Sequence, residues 1–190
     1  MTVNFRSNGK PLPTLFSMDA CEKVIYMNTF SKSLTPTIRI SYMILPVHLA
    51  NQFYRQLSFY SCTVSNFEQY TLAAFINQGY FEKHINRMRL FYSRQRKKLI
   101  EAIEHSSLKE KCRIIENDSG LHFLLHLQTE LSDQCLSEQL KQQGIKMRPL
   151  SEYFLTAENS REHYFIINYS SVDLEKIPAA CERISQLLSE

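Results

Sequence analysis

The chain has 190 residues, 44% apolar and 12% aromatic, which is ample for a packed core and unlike a disordered or low-complexity composition. Its formal charge of +3 is too small a bias to imply nucleic acid by itself, and no apolar run approaches the roughly 18 residues of a membrane span. Five cysteines lie far apart with no C-x-x-C pair, which argues against a disulfide framework and a zinc site and makes reduced cytoplasm the simplest compartment.

Residues 1 to 22 contain Asn8-Gly9 and Pro11-Leu12-Pro13, which punctuate a loop or short hairpin rather than a regular element. A strand is expected over residues 24 to 28, and a second over 39 to 45, ended by Pro46. A helix should follow from Val47 to about Tyr60, with Leu49, Phe53 and Leu57 on one face. Ser65 and Glu68 have capping-box spacing, so the next helix should start there and run to about Gln78, where Gly79 offers a break. The pattern Phe81, Ile85, Met88, Tyr92, Leu99, Ile103 then keeps helical spacing from Tyr80 to about Ser106. That helix carries Lys83, Arg87, Arg89, Arg94, Arg96, Lys97 and Lys98, and reads as a solvated face rather than a nucleic-acid surface.

The last third alternates strand and helix signals. Strands are expected at 112 to 116, 121 to 127, 145 to 148 and 164 to 169, with a turn at 117 to 120. Ser132-Asp133 should cap a helix that Gly144 ends, and Asp173 should begin a C-terminal helix with Ile177, Cys181, Ile184 and Leu188 in one stripe. Strands crossed by helices make a two-layer α/β lobe. His122 and His126 share a strand face without the helical geometry of a zinc pair, so no metal site is expected.

Chemistry concentrates between the first two strands, where small hydroxyl residues surround Lys32. A lysine at a strand end among apolar neighbours has its charged form disfavoured, so its pKa can fall and its amine can attack a carbonyl as a Schiff-base nucleophile. Thr29, Ser31 and Ser33 supply hydroxyls, and Arg39 supplies a guanidinium suited to a phosphate. Amine, hydroxyls and arginine together describe a pocket for a phosphorylated aldehyde.

The run Thr29-Phe30-Ser31-Lys32-Ser33-Leu34, with Pro36, Ile38-Arg39-Ile40 and Tyr42, resembles the lysine segment of fold-type-I pyridoxal-phosphate enzymes, and in particular the aminotransferase-like domain of MocR-type regulators of the GntR family. The likeness continues through Asn4-Phe5-Arg6, Phe67-Glu68-Gln69-Tyr70, Gly79-Tyr80-Phe81-Glu82-Lys83-His84 and Gly120-Leu121-His122-Phe123. It implies part of a large cofactor domain joined by a long helix to a small C-terminal α/β domain: residues 1–64 as the large-domain remnant, 65–106 as connecting helices, 107–190 as the small domain. Lys32 would form the Schiff base with pyridoxal 5'-phosphate, Thr29, Ser31 and Arg39 would bind the cofactor, and Arg148 would be the substrate-carboxylate arginine.

The resemblance also sets expectations about what the chain lacks. The acid that pairs with the pyridine nitrogen would precede Asn4, where only Met1-Thr2-Val3 stand, so a C-terminal piece, incomplete as an enzyme and weak in cofactor binding, is expected. The strand Phe165-Ile166-Ile167-Asn168-Tyr169 lacks the arginine most true aminotransferases carry there, which favours a sensor of an amino compound over ordinary transamination. The expected partners are an amino-compound effector or substrate and a second copy, with no membrane contact and with DNA reached only through a separate winged helix-turn-helix. The alternative is a piece of an authentic class I/II aminotransferase.

Overall fold

The computed structural model describes residues 13–115, 120–155 and 161–189; the Asn8-Gly9 and Pro11 loop signals and most of the turn expected at 117 to 120 lie outside them. Packing divides the chain into two compact units, the first ending at Arg89 and the second beginning at Leu90.

The first unit opens with a short helix α1 (Leu15–Met18), capped by the Thr14 side chain, where only loop or hairpin was expected. The Asp19 carboxylate then accepts from the amides of Cys21, Lys23 and Val24, at 2.9, 2.5 and 2.6 Å. The Val24 amide is thereby occupied, and strand β1 starts two residues later than expected, at Tyr26–Thr29. Strand β2 (Ser41–Ile44) pairs antiparallel with it, setting Asn28 opposite Tyr42 and Thr29 opposite Ser41. Helix α2 (Val47–Leu57) follows Pro46, and α3 (Asn66–Asn77) starts at the expected cap: the Ser65 hydroxyl accepts from the Glu68 amide at 3.2 Å and donates to the Glu68 carboxylate at 2.9 Å. Neither helix has a buried residue, and every residue of β2 is exposed. Phe67 at 80% and Tyr70 at 77% exposure show how little covers this unit's apolar side chains.

Gly79, at φ 75°, ends the α3 turn, a conformation that costs a residue without Cβ little. Helix α4 (Tyr80–Glu104) then runs unbroken for 25 residues, as the apolar spacing requires.

The second unit is a four-stranded antiparallel sheet in the order β3-β4-β6-β5, made of β3 (Cys112–Ile115), β4 (His122–Leu127), β5 (Arg148–Pro149) and β6 (Tyr164–Asn168). Alternation along β4 buries Phe123, Leu125 and Leu127, and Phe165 of β6 lies opposite Leu125 on the same face. That face forms one core with Leu99 and Ile103 of α4, Leu136 and Leu140 of α5 (Asp133–Gln142), and Cys181, Ile184 and Leu187 of α6 (Ile177–Leu187). Helices on one face of a sheet give the two-layer lobe that the sequence suggested.

Two boundaries differ from expectation for a visible reason. At the end of α5 the amide of Ile145 bonds to Leu140 O at 2.8 Å and that of Gly144 to Lys141 O at 3.0 Å, with Gly144 at φ 79°. This Schellman closure occupies the backbone that would have begun the strand, so pairing starts only at Arg148 and includes Pro149, which an edge strand tolerates. At the C-terminus, Asp173 caps a 3-10 turn (Leu174–Lys176) before α6 begins, with Pro178 in its first turn, where no amide is missed.

Candidate functional site

Thr29 is both the last residue of β1 and the cap of a 3-10 turn, Phe30–Lys32, which Lys32 closes. The turn is tied to the returning chain: the Phe30 amide donates to Ile40 O at 3.0 Å, the Thr29 hydroxyl to the same carbonyl at 3.2 Å, and the Ser31 hydroxyl to Ile38 O at 2.7 Å. Those bonds hold residues 38 to 40 against the turn and explain why β2 begins at Ser41 rather than at Arg39. They also bring Arg39 into the same loop, exposed and in no ion pair with a described residue. Four of the five residues expected to act together, Thr29, Ser31, Lys32 and Arg39, therefore share one hairpin connection. Arg148 belongs to the second unit, on the edge strand, opposite Ile166.

A cavity of about 390 Å³ adjoins the turn, lined by Thr29, Phe30 and Ser33 and by the aromatic cluster Tyr26, Tyr42 and Phe81. The Asn28 amide group donates to the Tyr26 hydroxyl at 2.8 Å, and the Tyr26 and Tyr42 rings stand 6.1 Å apart. Burial, then the hydrogen bond with Tyr26, pushes the Tyr42 phenol above its ordinary pKa, so it stays a neutral donor at physiological pH. Sequence reading gave no role to Tyr26, Asn28 or Tyr42, although Tyr42 belongs to the run that resembles the lysine segment. The available signal was two-residue alternation on β1 plus the register that sets Asn28 opposite Tyr42.

A phosphorylated aldehyde such as pyridoxal phosphate fits the donor set at two of its ends. Hydroxyls and a guanidinium in no ion pair with a described residue suit a phosphate, and a lysine in the same turn suits the aldehyde. None of the described residues lining the cavity is an acid, so a charged ring nitrogen would find no carboxylate among them. His122 and His126 alternate on β4, with the His126 ring 4.7 Å from Tyr164 opposite, and no group of three or more metal-type side chains occurs among the described residues.

The sequence profile of the family described as aminotransferase class I and II matches residues 4–184. The chain belongs to that family. Within it, this aminotransferase-like chain is 45% identical over 147 residues to the uncharacterized HTH-type transcriptional regulator YdeL of Bacillus subtilis, covering 77% of the chain and 32% of that protein. It is 34% identical over 169 residues to the probable rhizopine catabolism regulatory protein MocR of Rhizobium meliloti, covering 89% of the chain and 34% of that protein. The chain thus spans about a third of the length of these regulators. Among solved structures it resembles Pyrococcus horikoshii kynurenine aminotransferase in complex with PMP, at a TM-score of 0.78 and 25% identity, over 98% of this chain and 46% of that one. The fold is that of part of a fold-type-I aminotransferase; the relatives include HTH-type regulators at 34–45% identity and, at 23%, the aromatic-amino-acid aminotransferase 1 of Thermococcus litoralis. No helix among the described residues is long and apolar enough to cross a membrane.

Proposed function

We propose that this chain is the C-terminal part of the effector domain of a MocR-type regulator, that it carries the lysine-bearing half of a pyridoxal 5'-phosphate site, and that it acts in the cytoplasm. The observation that carries the reading is the hairpin connection that joins Thr29, Ser31, Lys32 and Arg39, in a chain whose relatives at 34–45% identity include HTH-type regulators. In this reading 1–64 belongs to the large domain, 65–106 connects, and 107–190 is the small domain. Five free cysteines suit a reducing compartment.

When bound, the cofactor supplies an electron sink for chemistry on an amino compound. The chain's own residues do the rest. Lys32 would hold the aldehyde end through its amine, the Thr29 and Ser31 hydroxyls would turn from the Ile40 and Ile38 carbonyls to donate to the phosphate, and Arg39 would neutralise part of its charge. Tyr42, a neutral phenol, donates into the adjoining cavity. Arg148 binds an acid group of the effector or substrate. The exposed apolar side chains of the first unit, Tyr42, Met43 and Ile44 among them, support association with further protein, a second copy included.

The test is covalent labelling. Borohydride reduction after incubation with pyridoxal phosphate should fix the label on Lys32, and Lys32→Ala should remove it. Label spread evenly over Lys83, Lys97 and Lys98 would refute the site.

A further inference from the structure

The second unit contains a cavity of about 540 Å³ that the lysine segment does not touch. Its floor is the unit's own core: Leu99 and Ile103 of α4, Leu125 of β4, and Cys181 and Ile184 of α6, each at most 5% exposed. Its rim carries Lys146, Arg148, Tyr153, Asn168 and Ser171, and no acidic residue among the described residues. Water would find few polar partners on such a floor, so an apolar occupant laid over it stabilises the unit. The volume falls within the roughly 300–1,000 Å³ of small-molecule sites, and apolar walls with a few polar groups at one end are their usual make-up.

The charges at the rim decide which occupant. Lys146 and Arg148 lie two residues apart, where Arg148 pairs across the ladder with Ile166, itself a wall residue. Tyr153, and then Glu152, hold the Arg148 guanidinium above its ordinary pKa, and Lys146 and Arg148 stand between this cavity and a neighbouring groove that they also line, where Asp133, Glu138 and Glu152 lie. A guanidinium and an ammonium on the same rim suit a carboxylate. We propose that the second unit holds a binding site for an apolar monocarboxylate, its hydrocarbon in the cavity over Leu99, Leu125 and Ile184 and its acid on Arg148 and Lys146. This rests on the reading of Arg148 as an acid-binding residue and adds the class of ligand: a carboxylic acid with an aryl or branched alkyl body.

The experiment titrates the full chain, carrying ¹³C-methyl methionine, with 4-phenylbutanoate and with its neutral amide. Met147 lines the cavity, so its methyl resonance should shift saturably while the other five methionines stay in place. Arg148→Gln, a change at an exposed side chain that leaves the core intact, should weaken the acid about tenfold. The amide should bind the wild type no better than the acid binds that variant. Ala180→Phe, which fills the cavity from α6, should abolish the Met147 shift. Lys32→Ala should leave all of this unchanged, so a failed borohydride label would refute the cofactor site without touching this one. Equal binding of acid and amide, an Arg148→Gln effect under twofold, or shifts at methionines other than Met147 would overturn the proposal.

Discussion

Removing the two hydroxyls that tie the lysine turn to its return strand should loosen that turn without unfolding the second unit. The double variant Thr29→Val, Ser31→Ala keeps the shapes near native and deletes the bonds to Ile40 O (3.2 Å) and Ile38 O (2.7 Å). A net side-chain hydrogen bond contributes about 1 kcal/mol, and both hydroxyl residues are half-buried, so water can partly replace the lost donors. The expected loss is therefore about 1.5–2 kcal/mol of local stability, or roughly 10- to 30-fold in the opening equilibrium. Amide hydrogen exchange reads this directly. The Leu34 amide bonds to Phe30 O at 2.8 Å across the turn, and its protection should fall by that factor, while the Leu125 amide in β4 keeps its own. Ser31→Thr, which retains the hydroxyl, should restore most of the protection, and borohydride labelling of Lys32, the turn's last residue, should fall with it. Unchanged protection at Leu34, or an equal loss at Leu125, would show that the hydroxyls do not hold the turn.

Phe165→Ala, at a fully buried position of β6, should cost the second unit about 3–5 kcal/mol in urea denaturation, since it leaves a cavity opposite Leu125. Burial, with the neighbouring Cys181 adding, pushes the Cys112 thiol from near 9 up to about 11, so at pH 8 only about one molecule in a thousand carries that thiolate and iodoacetamide should modify the exposed Cys21 and Cys62 first. The same shift has a sign for stability. A neutral thiol is favoured in the folded state, so its contribution is intact below pH 9 and lost as pH rises towards 11, and Cys112→Ser should remove that part of the alkaline decline in a pH series of denaturant midpoints.

Local signals made most elements legible. Ser65 with Glu68, Ser132 before Asp133, and Gly79 and Gly144 at positive φ act through their own turns, so their effects can be read without the fold. The unbroken α4 and the buried alternation of β4 follow from periodicity alone. The lysine turn was legible for the same reason, because Thr29, Ser31, Lys32 and Arg39 lie within eleven residues of one another and β1–β2 pairing closes them into one connection.

What periodicity could not supply was competition for backbone groups and the meeting of distant segments. The Asp19 carboxylate takes the Val24 amide, the closure of α5 takes Ile145, and the hydroxyls of Thr29 and Ser31 take the carbonyls of Ile40 and Ile38, so each neighbouring strand starts later than its β-forming residues suggest. The sequence by itself determined where helices cap, which faces are apolar and which loop carries the amine. Only the tertiary structure decided that Arg148 stands at the rim of a cavity floored by Leu99, Leu125 and Ile184, because those residues come from three elements up to 85 positions apart in sequence, joined by sheet order and helix packing rather than by any local preference.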